Sequence, residues 1–187
     1  VRFELFNVAT GQQLLAKELP TTEAGLRATA HRISDLVFER LTGVRGAFST
    51  RLAYVEVEGA PPAQRYRLIV SDADGFNPRK VADSPEPLMS PAWSPDGQRL
   101  AYVSFEGKAS AIYVQDLASG KRSRVSARAG INGAPAWSPD GRTLALTLSR
   151  GGNLDVYTLA LASQTLTRVT SDDAIDTEPE WSRDGGS

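Results

Sequence analysis

Pro91-Ala92-Trp93-Ser94-Pro95-Asp96-Gly97 returns as Pro135-Ala136-Trp137-Ser138-Pro139-Asp140-Gly141, and again as Pro179-Glu180-Trp181-Ser182-Arg183-Asp184-Gly185. Both steps are 44 residues long, and a period of about 40 to 45 residues with a tryptophan signature belongs to four-stranded propeller blades. After the Asp96-Gly97 turn, residues 100–103 form a mostly apolar run that suits a strand sandwiched between neighbouring blades. Gly107 breaks it. Residues 111–114 read as the next strand, Ala118-Ser119-Gly120-Lys121 as a hairpin turn and residues 122–126 as an alternating outer strand. The second unit repeats this at 144–148, 154–159 and 165–169, but its turn, Ala162-Ser163-Gln164, lacks the glycine, which predicts a less regular connection.

Upstream, Arg51-Leu52-Ala53-Tyr54-Val55 matches Arg99-Leu100-Ala101-Tyr102-Val103 at an offset of 48, so a degenerate blade carries extra residues around Pro61-Pro62. The chain is therefore expected to be mainly β, with blades at 47–90, 91–134 and 135–178 and the first strand of a fourth at 179–187. Three blades do not close a ring, since propellers have at least four. Residues 1–43 read differently. A hairpin around Ala9-Thr10-Gly11 precedes a helix capped at Thr21 or Thr22, whose apolar positions Leu26, Ala30, Ile33, Val37 and Leu41 predict one buried stripe, stopped by Gly43. One hairpin and one helix make a small core, so this segment is expected to be the C-terminal part of an N-terminal α/β domain, with the boundary at 41–46.

Composition narrows function by exclusion. The 187 residues carry 21 basic and 22 acidic side chains, interspersed, so no basic stripe exists to neutralise a phosphate backbone and nucleic acid is not an expected partner. No apolar run of about 18 residues is present, which argues against a membrane-spanning helix. The absence of cysteine removes disulfides, thiolate metal sites and cysteine nucleophiles together.

Several stretches, in order, resemble the TolB family: Phe38-Glu39-Arg40-Leu41-Thr42-Gly43 leading to Gly46-Ala47-Phe48, Val70-Ser71-Asp72, Pro87-Leu88-Met89-Ser90-Pro91, Asn132-Gly133-Ala134-Pro135 and Thr177-Glu178-Pro179. The resemblance implies an N-terminal α/β domain and a six-bladed propeller, of which this chain would hold about half. It also implies a non-catalytic periplasmic component of the Tol-Pal system, which supports the outer membrane during invagination at cell division. The implied partners are the peptidoglycan-associated lipoprotein Pal and colicin translocation segments. Contact with TolA is expected to be lost, because the family makes it through a stretch upstream of Val1. An incomplete ring is also expected to expose an apolar blade face and self-associate.

Blade geometry locates the docking rim independently of the family. If the Pro-x-Trp segments are the innermost strands, the Asp-Gly turns lie at one rim, and the inter-blade segments 86–91, 128–135 and 172–179 lie at the other with the hairpins 105–110 and 149–153. Loops on a rigid scaffold concentrate binding residues. Carried over from the family by motif, the expected partner-binding residues are Met89, Ser90, Ile131, Asn132, Gly133, Ala134, Thr177 and Glu178. Asn132 and Thr177 would exchange hydrogen bonds, Glu178 would meet a basic group, Ile131 would make an apolar contact, and Gly133 and Ala134 would permit close approach. The competing reading is that these residues only shape inter-blade turns.

No catalytic or metal site is expected. Asp96, Asp140 and Asp184 recur with glycine as turn residues. Asp72-Ala73-Asp74-Gly75 places its glycine too early for a calcium loop, and His31 has no visible acid or nucleophile partner along the chain. Asp172, Asp173, Asp176 and Glu178 read equally as a cation-attracting cluster and as a solvated loop, while the resemblance implies calcium in the propeller channel as the one possible cofactor. Two other readings stay open: the gating propeller of a prolyl-type serine peptidase, which would need a Gly-x-Ser-x-Gly elbow in a hydrolase domain, and a propeller scaffold with another ligand.

Overall fold

The computed structural model describes residues 1–150 and 152–186. Gly151, inside the expected 149–153 hairpin, and Ser187, at the end of the fourth repeat, lie outside the described residues. The chain divides into two compact units, the first comprising Val1–Leu52 with Ser71–Pro78, the second Ala53–Val70 with the residues from Arg79 onward.

In the first unit, β1 (Arg2–Phe6) and β2 (Gln13–Glu18) form an antiparallel hairpin. Its turn is closed by the Gly11 amide donating to the Asn7 carbonyl, with Gly11 at φ 69°. Thr22 caps a single 3-10 turn, Glu23–Gly25, by accepting the Gly25 amide on its hydroxyl. α1 (Leu26–Thr42) continues from there and stops at Gly43, whose left-handed φ of 73° lets its amide close on the Glu39 carbonyl. The expected buried stripe does not form. No residue of α1 is fully buried, Ile33 and Val37 are half-buried, and Leu26, Ala30 and Leu41 are exposed. A two-stranded sheet is too small to cover five helical positions. The unit also runs past the expected boundary at 41–46, because the Asp35 carboxylate accepts the amides of Phe48 and Ser49 at 2.7 and 3.0 Å and holds that segment against α1.

The blades follow. β3 (Arg51–Glu58), β4 (Arg65–Asp72) and β5 (Arg79–Ser84) make a three-stranded sheet. β6 (Leu88–Trp93), β7 (Arg99–Ser104), β8 (Ala111–Asp116) and β9 (Arg122–Ser126) make a four-stranded one, in sequential order. β10 (Asn132–Trp137), β11 (Thr143–Leu148), β12 (Asp155–Ala160) and β13 (Leu166–Arg168) repeat it. The second strand of each full blade is buried along nearly its whole length, as an element covered on both faces must be. Leu144, Leu146, Leu148, Tyr157 and Leu159 of one blade close on Ala101, Val103 and Ile112 of its predecessor. Leu68, Val70, Leu88, Leu100 and Tyr102 form the preceding layer. Each fully buried aliphatic side chain in such a layer contributes about 1.5 to 3 kcal/mol.

Two details differ from expectation. The turn lacking glycine is no longer than its counterpart: Gln164 takes φ 57° where Gly120 takes 71°. The fourth repeat forms no strand among the described residues, yet its indole docks as that of Trp137 does. Trp181 Nε1 donates to the Ala136 carbonyl at 3.1 Å, as Trp137 Nε1 donates to the Ala92 carbonyl at 3.2 Å.

Candidate functional site

The three Pro-x-Trp segments converge on one open groove of about 220 Å³, walled by Ser90-Pro91-Ala92, Ala134-Pro135-Ala136 and Glu178-Pro179-Glu180. Here the repeat holds to the level of backbone torsion. Ser90, Ala134 and Glu178, each immediately before proline, adopt φ of 48°, 46° and 54°. Residues with a Cβ rarely enter this region and residues preceding proline favour extended backbone, so each position stores about 1 to 3 kcal/mol of strain. The strain accompanies a bulge. Met89 pairs with Val103 and Ala92 with Ala101, which leaves Ser90 and Pro91 together opposite Tyr102, and Ala134 and Pro135 stand likewise opposite Leu146. The bulge lifts Ser90-Pro91 and Ala134-Pro135 out of their ladders, between paired residues on either side, where they line the groove. Two strands line the groove with small uncharged side chains, and the third segment, which is not a strand, with the carboxylates of Glu178 and Glu180.

Shortly before the groove-lining segments in the chain stand exposed apolar side chains, one in β6 and two in inter-blade loops. Met89, Ile131 and Ile175 are 50%, 51% and 69% exposed. The Ile131 loop is clamped from both sides: the Ile131 amide donates to Ser149 Oγ at 2.6 Å, and the Ser149 amide donates to the Ile131 carbonyl at 3.1 Å. Gly130 is obligatory beside it, since at φ 85° a Cβ would lie 2.2 Å from Ser149 Oγ.

Asn132 departs from its expected role. It is fully buried, not partner-facing. Its Nδ2 donates to the carbonyls of Ser110, Arg128 and Gly130, and its Oδ1 accepts from Ser126 Oγ and the Arg128 amide. Nothing remains to exchange with a partner; Asn132 is the staple that shapes the loop carrying Ile131. The next blade has Asp176 at the equivalent position, which has no donor to offer. There the amide comes from the hairpin: Asn153 Nδ2 donates to the carbonyls of Asp172 and Ala174, which are 44 residues beyond Arg128 and Gly130. The two loops are built alike by different residues, and both push an isoleucine outward. Ile175 was not among the expected contacts, although stepping 44 residues from Ile131 points to it.

The remaining expected residues fall on the same rim. Ser90, Thr177 and Glu178 are exposed, and Gly133 and Ala134 are half-buried. The acidic loop 172–176 is organised by Asn153 and by the Ala174 amide on Asp172 Oδ1 at 2.8 Å. Among the described residues, the potential metal-ligating group is elsewhere, in the first unit: His31, Asp72 and Asp74, with donor atoms within 4.8 Å of one another. Arg27 already pairs with both carboxylates. Asp96, Asp140 and Asp184 are turn residues as expected, each accepting from the serine two positions earlier at 2.6 to 2.7 Å, and those hydroxyls hold the carboxyls below their ordinary range.

Comparison with known proteins agrees with this architecture. The family described as the TolB beta propeller domain matches residues 38–187. The chain is 53% identical over 134 residues to the Tol-Pal system protein TolB of Xanthomonas campestris pv. campestris (strain B100), covering 72% of this chain and 30% of that protein. It is 49% identical, with the same coverage, to that of Xylella fastidiosa (strain M12). The chain thus spans less than a third of the length of these relatives. The crystal structure of TolB from Acinetobacter baumannii superposes with a TM-score of 0.91 at 43% identity, covering 97% of this chain and 46% of that one. The β-propeller domain of the trilobed protease from Pyrococcus furiosus is similar at a TM-score of 0.54 and 19% identity, over 70% of this chain and 41% of that one, a likeness of fold alone.

Proposed function

Because the chain belongs to the TolB β-propeller family, whose members are Tol-Pal system proteins and not enzymes, we propose that its rim is the docking surface for the peptidoglycan-associated lipoprotein Pal in the periplasm. Colicin translocation segments would compete for the same mouth. In this reading the protein supports outer-membrane integrity during division by holding a partner and performs no reaction. No helix among the described residues is long and apolar enough to cross a membrane.

One observation carries the proposal: exposed apolar side chains, Met89 on β6 and Ile131 and Ile175 on two loops rebuilt by different residues, stand just before the segments that line a groove with carboxylates on one wall. Apolar knobs on rigid loops, next to a few charged groups, are the anatomy of a protein interface. Glu178 would receive a basic group, and Met89, Ile131 and Ile175 would supply the apolar contact, with Ser90, Gly133, Ala134 and Thr177 around them. Calcium as a channel ligand is part of the same proposal.

The test is titration calorimetry of the soluble domain of Pal against the full-length protein containing this chain. Ile131→Asp and Glu178→Lys are each expected to weaken binding by about 30-fold or more, corresponding to about 2 kcal/mol. Unchanged affinity in both variants, with melting temperatures intact, would remove this rim from the interface.

A further inference from the structure

At the other end of the innermost strands, where the Asp-Gly turns lie, the junction between the two full blades and the next one along share a proline and a turn but differ at one side chain that bridges the first. At the first, Arg99 reaches from β7 across to the next repeat. Its guanidinium carbon lies 4.5 Å from the centroid of the Trp137 ring, and Nη2 donates to the Gly141 carbonyl at 3.1 Å. A Cβ placed on Gly141 would meet Arg99 Nη2 at 3.4 Å and Pro95 Cδ at 3.7 Å. At the second junction the same construction on Gly185 meets Pro139 Cδ at 3.4 Å, and no arginine. The proline and the turn are retained while the cation is missing, because the residue equivalent to Arg51 and Arg99 is Thr143.

Ser138, Asp140, Thr143, Trp181, Asp184 and Gly185 line a notch of about 560 Å³ there, with Pro139 at its edge. Trp137 lies beneath its arginine, whereas among the described residues no cation lies over the Trp181 ring. No described residue hydrogen-bonds the Gly185 carbonyl. The hydroxyls of Ser138 and Ser182 hold the turn carboxylates of Asp140 and Asp184 below their ordinary range.

We propose that this notch is a receptor for a guanidinium group, supplied by an arginine side chain of a protein partner, which would lie on the Trp181 face and donate to the Gly185 carbonyl as Arg99 does on Trp137 and Gly141. An indole face is the best aromatic partner for a cation, and a planar guanidinium satisfies face and carbonyl at once where a compact ammonium does not. The carboxylates of Asp140 and Asp184 stand at the edge, Asp140 sharing the field of Arg142, so the preference for a guanidinium rests on the indole face and the carbonyl. The site is separate from the rim assigned to Pal and stands or falls independently of it.

The experiment follows the indole N–H resonances of the full chain while acetyl-arginine-amide is added, with acetyl-citrulline-amide as the uncharged isostere. A saturable shift of Trp181 is expected with arginine, about tenfold weaker or more with citrulline. Thr143→Arg should fill the notch from within and abolish the response. Arg99→Thr should open the equivalent space and create an arginine-dependent shift at Trp137, which keeps the test decisive if Thr143→Arg fails to fold. No saturable Trp181 shift, equal response to citrulline, persistence in Thr143→Arg or silence of Trp137 in folded Arg99→Thr would each overturn the proposal.

Discussion

Asn132 shows how far a residue's role can lie from its motif. In the sequence it sits among small and polar residues of an inter-blade loop and reads as a hydrogen-bonding group offered to a partner. Its five side-chain hydrogen bonds reach Ser110, Ser126, Arg128 and Gly130, and Ser110 belongs to another loop 22 residues away. No local pattern reveals that closure. The residue therefore has a stability phenotype. Asn132→Asp, nearly isosteric, loses the donations to three carbonyls and places a charge in a fully buried position, so it is expected to cost about 3 kcal/mol or more and to lower the unfolding midpoint in urea accordingly. Asp176→Asn in the next blade is expected to leave the midpoint within about 0.5 kcal/mol, because Asn153 already supplies the amide there. Equal losses from both substitutions would mean that the loops are not stapled as described.

At the scale of the element, strands and turns were legible because each rests on local chemistry: apolar runs for strands covered on both faces, and Asp-Gly pairs where positive φ is needed. The helix was legible in extent, through Thr22 and Gly43, but not in burial, because the surface that covers a stripe is supplied by other elements. The rim loops were legible in position only. Their strained residues at 90, 134 and 178 are serine, alanine and glutamate, which carry no common sign of left-handed backbone. The 130–132 loop gives the sharpest test of this scale. Gly130→Ala forces a Cβ to within 2.2 Å of Ser149 Oγ at a φ of 85°, and the hydroxyl that would have to move is the acceptor of the Ile131 amide. A loss of about 1 to 3 kcal/mol is expected. Hydrogen exchange at the Ile131 amide should accelerate more than at Leu146 in β11, because the loop opens before the blade does. Uniform acceleration across the blade would contradict that order.

Across the whole molecule, the period of 44 residues predicted how many blades to expect, while the couplings between blades became visible only when equivalent positions were superposed, as with Arg99 and Thr143. The carboxylates, taken together, make a further global property. Asp35, Asp74, Asp83, Asp96, Asp116, Asp140 and Asp184 all titrate below the ordinary value of 3.8. Asp83 falls to about 2, chiefly through hydrogen bonds from Lys80 and Arg65. A carboxyl whose folded value is depressed binds its proton less readily than in the unfolded chain, so between the two values the unfolded state holds more protons and stability rises with pH. The contribution is complete above about pH 4 and is lost as pH falls through the folded values toward 2. Thermal melts between pH 5 and 2 are therefore expected to show a midpoint that is nearly level at first and then declines steeply below about 4. Asp83→Asn should flatten the lower part of that decline, because its titration lies deepest in the window, while changing the midpoint little at pH 2, where wild-type Asp83 is already half protonated. A midpoint that kept rising as pH dropped below 4, or a variant whose profile ran parallel to wild type throughout, would show that these carboxylates do not govern the acid limit of the fold.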